Sequence, residues 1–389
     1  MSAKRAGSWH NLTISDIALF GSGDLISIAS LSDRSSSHPV PVYGGNGVSG
    51  YTSSAMIDQP TVILGRVGQK CGVVYRNDGP AWITDNALYA RQFKRPVNVQ
   101  FFALALESAR LNNVKNKNDL PLITQSILSD VKIAWPDSIE EQNQIAGVMT
   151  DTNKLITSLE RMITKKQANK QGLIQQLLTG KTRLPGFREP WRKTTLGELA
   201  TIVSGGTPKS SIPAYWDGGI SWCTPTDITG EPSRFLTRTE RTISQEGLDR
   251  SAAQLLPKGS LLLCTRATIG EVKIAKFPIA TNQGFKSLVP HPGVSSEFLY
   301  YKISSIKHAL ATKGTGSTFL EVSKRDVAGM EVHIPELPEQ KAISLAISDS
   351  DDEIDHINRR LAKARAIKQG MMQELLTGRT RLSGEENAA

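Results

Sequence analysis

A 44-residue stretch occurs twice in this 389-residue chain, from Glu141 to Leu184 and again from Glu339 to Leu382. The copies align without a gap, and 19 of the 44 positions are identical. Both open on Glu-Gln (Glu141-Gln142, Glu339-Gln340). Both close on Leu-Leu-Thr-Gly-x-Thr-Arg-Leu, at 177–184 and 375–382. An internal repeat constrains architecture more than any local propensity, because each copy must adopt one structure in two settings. Positions four and three apart are Ile145, Met149, Thr152, Ile156, Leu159, Ile163, Lys166, Lys170, Leu173 and Leu177 in the first copy. In the second they are Ile343, Ile347, Ser350, Ile354, Ile357, Leu361, Ala364, Lys368, Met371 and Leu375. That is the seam of a coiled coil, interrupted at matching polar positions. Gly180 and Gly378 stand where a helix commonly ends. Each helix is expected to run about 38 residues, or ~57 Å at 1.5 Å per residue. A structural spacer or a dimer zipper would show the same period.

The repeat extends beyond the helices. Trp9-x4-Ile14-x-Asp16-Ile17-Ala18 before Ser22-Gly23 matches Trp191-x4-Leu196-x-Glu198-Leu199-Ala200 before Ser204-Gly205. The expected order is a globular segment (1–135), a helix (136–187), a second globular segment (188–334), then a helix with a tail (335–389). The fold class is α/β (α+β), with two globular segments that share their opening pattern and little else. In the first, Thr61–Leu64 and Cys71–Tyr75 read as strands, Phe101–Leu111 as a helix and Val131–Ala134 as a strand. In the second, Leu261–Leu263, Val272–Ala275 and Met330–Ile334 read as strands and Glu297–Ala311 as a helix.

Net charge is +9, and the excess lies in the globular segments, +4 over 1–135 and +5 over 188–334. This favours a polyanionic partner. Cys71, Cys223 and Cys264 are odd in number and lack metal-ligand spacing, which argues for a reducing compartment and against zinc. No run is apolar for long enough to cross a membrane, so a cytoplasmic location and no membrane partner are expected.

Catalytic motifs are weak. Gly45-x-Gly47-x-x-Gly50 fits a dinucleotide fingerprint in spacing, but Pro39 and Pro41 argue against a preceding strand and Lys70 stands where an acid would bind ribose. Gly205–Ser210 lacks phosphate-loop spacing. Glu271-Val272-Lys273 has no partner acid for a nuclease, and there is no Pro-Pro for an adenine methyltransferase. What remains is polar and basic residues in Gly-rich loops: Tyr43, Asn46, Arg66, Gln69, Lys70 and Asn86 in the first segment. In the second they are Lys209, Arg266, Thr268, Asn282, Gln283, Lys313 and Ser317. Such side chains suit base edges and phosphates. Arg66 and Arg266 each follow an apolar strand and are expected on a DNA-facing side.

The repeated helices, their Glu-Gln starts and their Leu-Leu-Thr-Gly-(Lys/Arg)-Thr-Arg-Leu ends resemble the DNA-specificity subunits of Type I restriction–modification systems. Tyr43–Gly47, Leu64–Gly68, Ser204–Pro208 and Ile279–Phe285 match as well. The resemblance implies a non-catalytic chain with two target-recognition domains, each reading one half of a bipartite asymmetric site in double-stranded DNA. It implies helices that pair antiparallel as spacers and dock two methyltransferase subunits, with restriction/translocase subunits joining. No cofactor or metal is expected on this chain. S-adenosylmethionine belongs to the methyltransferase subunits, ATP and Mg2+ to the restriction subunits. A recognition subunit of a fused restriction-methylation enzyme, and a coiled-coil adaptor with no DNA role, are the alternatives.

Overall fold

The computed structural model describes residues 8–113, 121–315 and 320–382. Its elements in chain order are β1 (Trp9–Thr13), α1 (Ile14–Ile17), β2 (Ala18–Ser22), β3 (Val40–Gly44), β4 (Gly47–Thr52), β5 (Thr61–Gly65), β6 (Val74–Asn77), β7 (Trp82–Ile83) and β8 (Ala87–Phe93). Then come α2 (Val99–Ser108), α3 (Gln125–Ser129), β9 (Lys132–Pro136) and the long α4 (Ile139–Leu177). The second half holds β10 (Arg192–Thr195), α5 (Leu196–Leu199), β11 (Ala200–Ser204), β12 (Trp216–Cys223), α6 (Pro225–Gly230), β13 (Phe235–Leu236), β14 (Arg241–Ile243) and α7 (Gln245–Asp249). It continues with β15 (Leu261–Leu263), β16 (Val272–Ala275), β17 (Ala280–Thr281), β18 (Lys286–Pro290), α8 (Ser296–Ser305), α9 (Lys307–Ala311), α10 (Lys324–Ala328), β19 (Glu331–Ile334) and α11 (Leu337–Leu375).

The chain forms two compact units, 1–161 with 358–389, and 162–357. Each unit therefore combines one globular segment with the near part of one long helix and the far part of the other. Unit 1 has a four-stranded sheet β2-β8-β5-β6 and a three-stranded sheet β4-β3-β7. Unit 2 repeats the order as β11-β18-β15-β16, extended by β13, and β14-β12-β17. In both, the first and last strands of the segment pair antiparallel, β1 with β9 and β10 with β19. The shared Ile/Leu-x-Asp/Glu pattern is a capping box: Thr13 with Asp16 starts α1, and Thr195 with Glu198 starts α5.

The helical expectations hold in detail. α4 and α11 are 39 residues each, and each ends on a glycine at φ 71°. There Gly180 N–H donates to Leu177 and Thr182 N–H to Gln176, and Gly378 and Thr380 repeat this with Leu375 and Glu374. In unit 2, Lys166 pairs with Glu353, Lys170 with Asp351 and Arg183 with Glu339, so one number falls as the other rises and the segments run antiparallel. Unit 1 shows the same sense in Glu141–Arg381 and Glu160–Arg365. Along the seam Ile145, Met149, Leu159, Leu177, Ile343, Ile347, Ile354, Ile357, Leu361 and Leu375 are buried; Ile156, Ile163, Leu173 and Met371 are half-buried.

The ends of the repeat explain its invariant letters. Glu141 binds Arg381 through both carboxylate oxygens, and Glu339 binds Arg183 the same way at 2.6 Å from Nε and from Nη2. Gln142 accepts from Asn98 N–H at 2.9 Å and donates to Pro136 O; Gln340 accepts from Ser295 N–H at 2.9 Å and donates to Pro335 O. Glutamate thus clasps the arginine at the other helix's end, while glutamine caps the globular segment just before it.

Several local expectations are corrected. Cys71 and Gly72 lie in a turn, where Gly72 takes φ 88° against Leu111 and Asn112, and the strand begins only at Val74. Pro41 lies inside β3, opposite Tyr51 and beyond the stretch that β7 pairs, where a missing N–H is tolerated. Gly45–Gly50 is a hairpin turn and strand. The expected helix 297–311 is two, divided at Ile306 (φ −104°, ψ 13°).

Candidate nucleic-acid interface

In unit 1 five segments at one edge of the sheets are stitched by backbone hydrogen bonds. Gly23 N–H donates to Ala87 O, Asp24 N–H to Ile83 O, Thr84 N–H to Tyr43 O (2.8 Å), Arg66 N–H to Asn86 O (3.2 Å) and Ile123 N–H to Arg66 O (2.9 Å). The crossing is so close that a Cβ on Gly23 would collide with Ile83 O, and one on Gly65 with Gly45 O. Between the loops lies a cleft of about 940 Å³, with Asn46, Gln69, Lys70 and Asn86 exposed on it.

Unit 2 repeats the stitching bond for bond. Gly205 N–H donates to Phe285 O, Gly206 N–H to Thr281 O (2.9 Å), Asn282 N–H to Cys223 O (3.1 Å), Thr265 N–H to Gly284 O (2.8 Å) and Val322 N–H to Thr265 O (3.0 Å). The counterpart of Arg66 is thus Thr265, not Arg266, and that of Tyr43 is Cys223. Residues 1–135 and 188–334 share a whole hydrogen-bond plan as well as an opening pattern.

The candidate residues divide by what their side chains touch. Asn46, Gln69, Lys70 and Asn86 come together. Tyr43 is half-buried and donates to Arg76 O at 3.4 Å. Arg66 turns inward, with Nη1 on Ser22 Oγ at 2.9 Å. In unit 2, Arg266 is held by Glu321, Nε to Oε2 at 2.7 Å, and Lys286 takes the other oxygen at 3.0 Å. Burial alone would raise the Glu321 carboxyl, but these two cations outweigh it and hold it below the ordinary glutamate value. Asn282 folds back on Gly284 N–H, Gln283 accepts from the Thr207 hydroxyl, and Thr268 is half-buried with its hydroxyl shut off from solvent. Lys209 and Lys313 are exposed. Ser317 lies outside the described residues.

Chemistry of other kinds finds little support among the described residues. No group of His, Cys, Asp and Glu there is placed to hold a metal. All three cysteines are buried, and burial pushes the Cys264 thiol up to about 12. No helix among the described residues is long and apolar enough to cross a membrane.

A family model described as the Type I restriction modification DNA specificity domain matches residues 7–168 and 188–366, once per repeat. The chain belongs to this family. The chain is 36% identical over 168 residues to the Type I restriction enzyme MjaIX specificity subunit of Methanocaldococcus jannaschii, an alignment covering 43% of the chain and only 39% of that relative. It is 24% identical over 318 residues to the putative MjaX specificity subunit of the same organism, covering 76% and 72%. It is 24% identical over 253 residues to the EcoR124I/EcoR124II specificity subunit of Escherichia coli, covering 61% and 60%. The fold matches the crystal structure of a Type I system S subunit from M. genitalium with a TM-score of 0.64 at 15% identity, over 97% of this chain and 98% of that one.

Two features of this family member escape a residue-by-residue reading. The Glu141–Arg381 and Glu339–Arg183 clasps were visible only as letters at opposite ends of the repeat. The exposed aliphatics Leu25 and Ile28, beside the polar cleft, carry no motif at all.

Proposed function

We propose that this chain is the non-catalytic recognition subunit of a Type I restriction–modification complex. It reads a bipartite asymmetric target in double-stranded DNA, with one globular segment per half-site. The observation that carries this is the pair of loop frameworks, alike in every stitching bond and unlike in nearly every exposed side chain. One backbone plan with two different faces suits two different half-sites. Asn46, Gln69, Lys70 and Asn86 form the first reading face; Thr207, Lys209 and Gln283 form the second. Arg66 and Arg266 brace loops. The paired helices space the readers and dock two methyltransferase subunits, and restriction/translocase subunits join that complex. The chain binds no cofactor of its own; S-adenosylmethionine, ATP and Mg2+ serve the partners. It works in the cytoplasm of a bacterial or archaeal cell.

Exchanging residues 1–135 for the matching segment of a relative, then sequencing methylated sites in a host, tests the assignment. One half of the recognised sequence is expected to change. A change in both halves, or in neither, overturns it. The purified chain is expected to be inert with S-adenosylmethionine, ATP and Mg2+, and turnover by it alone would end the subunit reading.

A further inference from the structure

The loop after β2 places large aliphatic side chains in solvent: Leu25 is 79% exposed and Ile28 85%. They are not scattered. With Leu31 and Val48 they line the same cleft as Asn46, Gln69, Lys70 and Asn86. The loop is pinned at both ends. Asp24 N–H donates to Ile83 O at 3.0 Å and Trp82 Nε1 donates to Asp24 O at 3.2 Å. At the far end Ser32 and Tyr51 exchange two backbone bonds of 3.0 Å. Between them a single tight turn, with Leu31 N–H on Ile28 O, holds Ile28 outward. The equivalent loop of unit 2, after Gly205, carries Thr207, Pro208 and Lys209 and exposes no large aliphatic side chain.

Polar amides and a lysine beside exposed aliphatics match one chemistry closely. In the major groove each base pair shows hydrogen-bonding edges, and thymine alone adds a C5-methyl group that apolar side chains read. We propose that Leu25 and Ile28 are specificity-determining residues that contact a thymine methyl in the first half-site, while the neighbouring amides read adjacent base edges. This rests on the reading that residues 1–135 face one half-site. It gives that half-site a T·A pair and gives the second half-site no reader of this kind on the equivalent loop.

The test uses the assembled methyltransferase complex and duplexes carrying its own mapped target. Each thymine of the first half-site is replaced singly by deoxyuridine, which removes only the methyl group. At least one replacement is expected to weaken binding about fourfold, the worth of one buried methyl. That sensitivity is expected to vanish in Leu25→Ser or Ile28→Ser, whose exposed positions leave the core untouched. Deoxyuridine effects in the second half-site are expected to be the same in variant and parent. A first half-site without T·A pairs overturns the proposal, as does tolerance of deoxyuridine throughout, or sensitivity that persists in both variants. Variants that keep the sensitivity but lose methyltransferase assembly overturn it in favour of a protein contact. A complex with no sequence preference at all would instead remove the underlying reading.

Discussion

Units 1 and 2 share a backbone plan and an apolar contact between helix and domain, and differ in the helix stretch just beyond that contact. In unit 1 the fastening is largely apolar. Phe101 and Phe102 lie edge-on to Trp135 at 5.4 and 5.7 Å, and Ile145, Met149, Leu375 and Leu376 complete that core. Unit 2 builds the same contact from Phe298, Ile343, Ile347, Leu177 and Leu178, but just beyond it α11 is acidic, with Asp351 and Asp352 where α4 has Asn153 and Lys154. Asp351 accepts from the Tyr301 hydroxyl at 2.7 Å and pairs with Lys170; Asp352 faces Arg234 at 3.8 Å; Glu353 takes Lys166. These acids are therefore tied within their own unit. The difference teaches that the repeat holds constant what the backbone and the two clasps require, and leaves the middle free to change.

The largest expected effect separates the clasps. Glu339 is 3% exposed and its arginine 24%; Glu141 is 9% exposed and Arg381 35%. Glu339→Ala leaves the less exposed of the two arginines without its carboxylate and is expected to lower the midpoint of urea unfolding clearly. Glu141→Ala is expected to cost less, since Arg381 regains water more easily. Equal losses would break the contrast.

Next come the reading faces. Asn86→Ala or Gln69→Ala is expected to relax preference at one base pair of the first half-site, by about 1–3 kcal/mol, with the second half-site unaltered. Gln283→Ala is expected to do the converse. Sequencing of methylated sites reads both outcomes. Arg66→Ala and Arg266→Ala are expected to lower stability by about 1 kcal/mol and to leave base preference intact. Altered preference with unchanged melting would return them to the reading face.

A last contrast is a pH slope confined to unit 2. Lys302 is buried, which lowers its ammonium to about 8, and it donates to Leu178 O at 2.7 Å. An unfolded lysine titrates near 10.4. Between those values the unfolded chain holds the proton and the native chain has released it, so this group makes stability rise with pH there. Below about 8 both states are protonated and the full penalty stands. Melting curves of Lys302→Met are expected to lack that component of the rise; curves parallel to the parent would refute it.

Much of this architecture was legible in sequence because it lies in side chains. The seam, the glycine ends and the capping boxes at Thr13 and Thr195 each leave a residue signature. The loop frameworks were not legible, since their bonds join backbone groups that any residue supplies. Hence Thr265 proved the counterpart of Arg66, although Arg266 carries the tempting letter. The apolar wall at Leu25 and Ile28 was hidden for the opposite reason: exposed aliphatics outside a periodic element have no pattern to announce them.

The divided make-up of unit 1 bears on how the chain is made. Unit 2 is one unbroken span, 162–357, and all its parts exist before residue 358 is added. Unit 1 needs Met371, Leu375, Leu376 and Arg381 to cover its core and answer Glu141. Domains usually close in the order they leave the ribosome. Here the domain synthesised first is the one completed last. The core around Phe101, Phe102 and Trp135 gains its last apolar partners, Leu375 and Leu376, only after the whole second unit has been synthesised.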